Sequence, residues 1–136
     1  MRCLASILAL RYAKCMERAI VVVAERIEAD ELARLVRSQF GDMVKYVVDL
    51  RRGVAAVGGQ LHADAEQLLL ADGSRQEDLW GANYYPALGD EAVEYTAMIN
   101  IRPSQGNPSM EIIDPEIRQS VLALTRRLLG DGEDLA

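Results

Sequence analysis

Residues 43–57 read MVKYVVDLRRGVAAV, and this stretch determines the fold class. Residues 43–50 and 54–57 are rich in valine and contain a tyrosine, a composition typical of buried strands. Arg51, Arg52 and Gly53 lie between them, and glycine supplies the positive φ that a short hairpin connection needs. The stretch therefore predicts two strands joined as a β-hairpin.

Hydrophobic periodicity predicts further elements on both sides of this hairpin. Three helices are expected at residues 29–40, 63–72 and 114–130, and three strands at 19–25, 79–85 and 93–101. Residues 102–113 contain two prolines and a glycine and are expected to form a long loop. The order β-α-β-β-α-β-β-α predicts a single α+β domain over residues 16–130, with three helices and a four- to five-stranded, mostly antiparallel sheet.

The two ends of the chain differ from this domain. Residues 1–15 contain basic residues but no acidic one, and Met16 opens a segment that resembles an ordinary protein start. We interpret residues 1–15 as an N-terminal extension, consistent with a mis-called start codon; a short docking helix is the alternative. Residues 131–136 are interpreted as a frayed acidic tail.

The composition of the chain limits the classes of partner that it could bind. The chain has 136 residues with 15 Lys and Arg against 21 Asp and Glu, a net charge of −6. Such an acidic chain argues against nucleic acid, and no apolar run approaches the roughly 20 residues of a membrane-spanning helix. The only cysteines, Cys3 and Cys15, have no neighbouring histidine and form no metal-binding pattern. We therefore expect a cytoplasmic protein with no metal and no cofactor.

Three stretches together resemble a known family: GGQLHADAE at 58–66, QEDLWG at 76–81 and INIRPSQGN at 99–107. They look like a domain-of-unknown-function family of short bacterial and archaeal proteins. The resemblance covers the chain from about Ile20 to Leu129. It implies a single α+β domain and leaves residues 1–15 outside; the family has no settled activity, so it implies no catalytic residue.

The loop after the last predicted strand is the richest in polar donors. Arg102 at the strand exit is suited to gripping a carboxylate or phosphate, and Asn100, Ser104 and Asn107 add hydrogen-bonding groups. Gly106 lets a ligand approach the backbone closely. The alternative is a structural loop whose side chains satisfy its own backbone.

His62 is the only histidine, so any histidine chemistry depends on it. With Asp64 and Glu66 it forms an H-x-D-x-E string, which is an incomplete metal site. The alternative interpretation is capping, in which His62 or Asp64 bonds the free amides of the helix start. Ser104, His62 and Asp64 supply the residue types of a nucleophilic triad, but no serine lies in a G-x-S-x-G elbow.

Trp80 and Tyr84 should share one face of the strand at 79–85, where an aromatic platform could hold a ligand; the alternative places Trp80 in the core.

Three functional hypotheses follow from these candidate residues. The first is a non-enzymatic binding or accessory domain for a small anion or a protein partner. The second is a small hydrolase or transferase with His62 as acid–base and Arg102 as anion clamp. The third is a homo-oligomeric interaction protein. The candidate binding residues are His62, Asp64, Trp80, Asn100, Arg102, Ser104 and Asn107.

Overall fold

The computed structural model describes residues 19–131. The predicted extension at 1–15 and residues 132–136 of the predicted tail lie outside the described residues. The strands are β1 (Ile20–Val23), β2 (Val44–Asp49), β3 (Val54–Gly58), β4 (Leu79–Tyr84) and β5 (Val93–Glu94). The α-helices are α1 (Ala29–Gln39), α2 (His62–Ala71) and α3 (Pro115–Leu128), with short 3₁₀ turns between β4 and α3 and before β4. The predicted α+β class and element order are confirmed.

The five strands form one antiparallel sheet in the order β1-β3-β2-β4-β5. The predicted hairpin is its centre, with Asp49 paired to Val54 at the turn. The Asp49 carboxylate accepts hydrogen bonds from the amides of Arg51 and Arg52, both at 2.9 Å, and Gly53 takes a φ of 70°. The Asp49 side chain and the backbone conformation of Gly53 together fix the register between β2 and β3.

Helices cover both faces of the sheet because side chains alternate along each strand. On one face, α1 and α3 pack over a core that includes Tyr46, Trp80 and Tyr84. On the other, Ala65 and Leu69 of α2 pack against a smaller cluster from β2, β3 and β4. Asp114 caps α3 by accepting from the amide of Glu116 at 2.8 Å, as the Asp-Pro-Glu start predicts. None of the helices within residues 19–131 is both long and apolar enough to cross a membrane.

The predicted strand at residues 93–101 is wrong in its extent, because β5 ends at Glu94. The cause lies at Gly81 on the neighbouring strand, where a Cβ would stand 2.6 Å from the Ala97 Cβ and 3.1 Å from Ile99. Since Gly81 has no side chain, Ala97 and Ile99 pack over it on the face that α2 covers. The chain therefore leaves the sheet, and Met98–Asn100 form a 3₁₀ turn.

Candidate functional site

Asn100 takes the place of the missing strand beside β4. Its Oδ1 accepts from the amide of Gly81 and its Nδ2 donates to the carbonyl of Gly81, both at 2.9 Å. Nδ2 also donates to the carbonyl of Met110 at 3.1 Å, and the side chain is fully buried. The amide thus pairs with β4 as a strand residue would, which leaves it no polar atom for a ligand.

Arg102 bonds the same edge of β4 nearer to the start of the strand. Its two terminal nitrogens donate to the carbonyls of Gln76 and Leu79, and its guanidinium stacks 4.0 Å from the centre of the Trp80 ring. The side chain is only 9% exposed, and burial lowers the pKa of Arg102 while the nearby Glu66 opposes that shift. An anion clamp would need these same nitrogens. The contacts favour the structural alternative.

Asn107 organises the loop that follows. Its Nδ2 lies 2.8 to 3.0 Å from three carbonyl oxygens, those of Asn100, Ser109 and Glu111. Its Oδ1 accepts from the amide of Ile113 at 3.0 Å. Ser104, by contrast, lies exposed on the 3₁₀ turn Pro103–Gln105. Asn107 therefore satisfies the backbone of its own loop, whereas Asn100 and Arg102 satisfy backbone groups of β4 and of the turn before it.

His62 is the first residue of α2 and does not cap it. The capping interpretation is wrong because Leu61 occupies the N-cap position and makes no side-chain cap bond. Instead His62 Nε2 lies 2.8 Å from the carbonyl oxygen of Ala82. A carbonyl only accepts, so Nε2 carries the proton and donates. The sheet, rather than the helix start, fixes the orientation of the imidazole.

His62 and Arg102 are held at separate points of β4. Their carbonyl partners, Ala82 and Leu79, are three residues apart on an extended strand, about 10 Å. An acid–base group and an anion clamp must both reach one reacting group within hydrogen-bond distance. This spacing disfavours the hydrolase hypothesis.

Two residues join His62 that the sequence did not single out as a site: Asn83 and Glu94, paired across β4 and β5. Asn83 Nδ2 donates to Glu94 Oε1 at 2.7 Å, whereas the buried Asn83 Oδ1 has no donor. Burial lowers the pKa of His62, as does the charge of Lys45, whereas the hydrogen bond to Ala82, the polar Asn83 side chain and the charge of Glu94 oppose that change. At neutral pH His62 is therefore an uncharged, interior hydrogen-bonding group.

Acidification should destabilise the domain through His62. Because the pKa of His62 is lower in the folded protein than the ordinary 6.5, the unfolded chain binds more protons below that pH. We expect the free energy of unfolding to fall as pH drops from 7 to 5.5, by at most about 1.4 kcal/mol per pH unit from this group. Urea denaturation at a series of pH values measures it.

The matched variant is His62→Gln, which keeps a donor for the Ala82 carbonyl but does not titrate. Burial raises the pKa of Glu66, so Glu66 contributes a slope of the opposite sign in both proteins. The difference between the two curves therefore isolates His62. Parallel curves for the wild type and His62→Gln would contradict the assignment of His62 as a buried neutral group.

A groove of about 590 Å³ lies between the end of α1 and the start of α2. Its lining residues are Ala19, Ile20, Ser38, Gln39, Gly59, Gln60 and Asp64. Asp64 is the one predicted candidate in this lining. Asp64 is exposed, while the imidazole of His62, in the same first turn of α2, bonds β4. The volume falls within the range of small-molecule sites.

The seven predicted residues thus do not form one site. Asn100 and Arg102 bond the edge of β4, Asn107 bonds the loop that follows, and Ser104 is exposed. Trp80 is buried in the core with Arg102 against it, whereas His62 bonds β4 and Asp64 lines the groove. Ser38, Gln39 and Gln60 of the groove were missed, since no motif links the end of α1 to the loop before α2. Within the described residues, no group of three or more His, Cys, Asp or Glu could hold a metal ion.

The fold and the groove define a class: a small α+β domain with one antiparallel sheet between helices and a polar groove at one end. The chain belongs to the family described as "Protein of unknown function (DUF5674)", whose sequence model matches residues 21–128. The resemblance inferred from the sequence is confirmed, and that description names no activity. Comparison with curated proteins gave no match, and comparison with solved structures gave none.

Proposed function

We propose that this domain is a non-enzymatic binding module that takes a small ligand in the groove between α1 and α2. The observation that carries the proposal is the volume of about 590 Å³. Ser38, Gln39 and Gln60 offer hydrogen-bonding groups around it, and Ile20 offers an apolar surface. Few convergent polar groups beside apolar surface are typical of ligand sites.

Two observations support binding over catalysis. The imidazole of His62 is buried and directed at the Ala82 carbonyl, away from solvent. Arg102 donates both terminal nitrogens to backbone carbonyls. The acid–base and anion-clamp roles of the enzyme hypothesis therefore fall on groups that serve the fold.

A thermal-shift screen with small polar metabolites tests this proposal. A ligand that binds the folded domain stabilises it by about 2.7 kcal/mol at one hundred times its dissociation constant. We expect at least one compound to raise the unfolding midpoint, and Gln60→Trp, which fills the groove from an exposed position, to abolish the shift.

Gln105→Trp is the control, because Gln105 is exposed in the loop beside the start of β4. It should leave the ligand-induced shift unchanged. A screen in which no compound raises the midpoint, or a shift that survives Gln60→Trp but not Gln105→Trp, contradicts a ligand site in the groove.

A further inference from the structure

We propose that α2 and the edge of β4 are joined by a binding site for one water molecule, which accepts from Arg102 Nε and donates to Glu66 Oε2. Neither residue lines the groove, so the site stands apart from the proposed function. Glu66 lies in the second turn of α2, and Arg102 follows the 3₁₀ turn Met98–Asn100 beside β4. The water connects the helix to the segment that replaces a strand at this edge.

Glu66 and Arg102 are buried ionisable residues, and each has one polar atom without a hydrogen-bond partner. Only 8% of Glu66 and 9% of Arg102 is exposed. Glu66 Oε2 and Arg102 Nε are both shielded from solvent, and no group within residues 19–131 bonds either atom. Because buried polar atoms of native proteins nearly always have a partner, which is often an ordered water, each of these two atoms requires one.

The two atoms have complementary hydrogen-bonding roles. The Nε of a guanidinium only donates, and the oxygen of a carboxylate only accepts. The two side chains lie close enough for their charges to interact, since Arg102 opposes the rise in the pKa of Glu66 and Glu66 opposes the fall in the pKa of Arg102. They are not in direct contact through Oε2 and Nε, because such a contact would give both atoms a partner.

Arg102 is held in place by its other contacts. Its terminal nitrogens donate to the carbonyls of Gln76 and Leu79, and its guanidinium stacks on the ring of Trp80. The side chain cannot turn its Nε onto the Glu66 carboxylate without giving up these bonds. The geometry therefore favours a bridge between the two groups over a direct ion pair.

Glu66 is positioned by its helix. His62 lies one turn earlier on the same side of α2, and its imidazole bonds the carbonyl of Ala82 on β4. A molecule between Glu66 and Arg102 must accept one hydrogen bond, donate another and fit a buried place. Water meets all three conditions, and buried waters of native proteins commonly bridge polar groups of this kind.

A crystal structure of the full chain, at a resolution that shows ordered water, tests the site. We expect density for one water at about 2.7 to 3.2 Å from both Glu66 Oε2 and Arg102 Nε. Direct contact between these two atoms would overturn the proposal, as would the absence of density between them.

Two variants test the role of Glu66 in solution, with the NOE between the Arg102 Hε proton and water as the measurement. Glu66→Gln keeps an oxygen acceptor at the same place, so we expect the wild-type cross-peak to persist. Glu66→Met has a similar length without an oxygen, so the cross-peak should be lost. Glu77→Gln is the control, because Glu77 pairs with Arg75 on the exposed surface, and it should keep the cross-peak.

The outcomes bear on the water site alone. A cross-peak of equal intensity in the wild type and Glu66→Met would show that Glu66 does not hold the water. A wild-type protein without the cross-peak contradicts the site whether or not Glu66→Met folds. The ligand groove is tested separately by the metabolite screen, so either proposal can fail without the other.

Discussion

Arg102→Ala is expected to lower the free energy of unfolding by about 4 kcal/mol, the largest effect of any single substitution proposed here. The guanidinium donates two charge-assisted hydrogen bonds to the carbonyls of Gln76 and Leu79, each worth about 1.5 to 3 kcal/mol. It also stacks on Trp80, a contact worth about 1 kcal/mol. Its removal leaves the buried carbonyl of Leu79 and the part-buried carbonyl of Gln76 without this donor. Urea denaturation monitored by Trp80 fluorescence measures the change.

Two variants separate the stability contributed by the two-pronged hydrogen bonding of Arg102 from that contributed by its positive charge. Arg102→Lys keeps the charge, but a single ammonium cannot reproduce the planar two-pronged donation, so we expect it to recover less than half of the loss. Arg51→Ala removes an arginine whose ion pair with Asp78 is exposed, and should cost under about 1 kcal/mol. An Arg102→Ala protein as stable as the wild type would show that this arginine is held for another purpose.

Asn100→Ala is expected to cost about 3 kcal/mol. Three hydrogen bonds of the Asn100 amide are lost, and the amide and carbonyl of Gly81 lose their partner on the side where no strand lies. Each interior backbone group left unsatisfied costs about 1 to 3 kcal/mol. Amide exchange at Gly81 should also accelerate, because its hydrogen bond is made by the replaced side chain.

The comparison variants are Asn100→Asp and Gln105→Ala. Aspartate keeps an acceptor for the Gly81 amide but loses both donors, so it should be at least as unstable as alanine. Gln105 donates one exposed bond to the Glu77 carbonyl, and its loss should cost under about 0.5 kcal/mol. If Asn100→Ala and Gln105→Ala lose equal stability, the side chain of Asn100 does not replace a strand.

The elements that follow from local pattern were predictable. The hairpin at 43–57 has β-branched strands around a glycine turn, and the start of α3 has a capping aspartate before a proline. The early end of the strand predicted at 93–101 could not be predicted. The residues of this segment alternate as a strand does, and the residue that ends the strand, Gly81, lies on β4. Gly81 offers the space into which Ala97 and Ile99 pack, and nothing within 93–101 reveals that.

The site shows the same division between local and distant information. His62 and Asp64 were identified as candidates, since a lone histidine and an acid at a helix start are visible in sequence. The sequence did not predict what surrounds them. Asn83 and Glu94, the neighbours of His62, come together only through the register of β4 and β5. The groove depends on where the sheet holds the end of α1 and the start of α2, which lie on its opposite faces. No spacing within either helix predicts it.

Arg102 shows why a count of donors does not identify a binding site. The loop at 102–109 carries many polar groups, which favours ligand binding when the residues are considered alone. In the fold, β5 stops after Glu94, so the edge of β4 beyond it has backbone groups without strand partners. Asn100 and Arg102 supply those partners. The groove has fewer polar side chains, but they surround open space.

The most direct test is a map of backbone amide shifts on binding of the compound that raises the unfolding midpoint most in the screen. The polar loop and the groove lie at different places on the molecule, so one titration distinguishes them. We predict that the largest shifts cluster at Ser38, Gln39, Gly59, Gln60 and Asp64, while residues 102–109 stay unchanged. Shifts centred on residues 102–109, with the groove unmoved, would contradict the division between a structural loop and a binding groove.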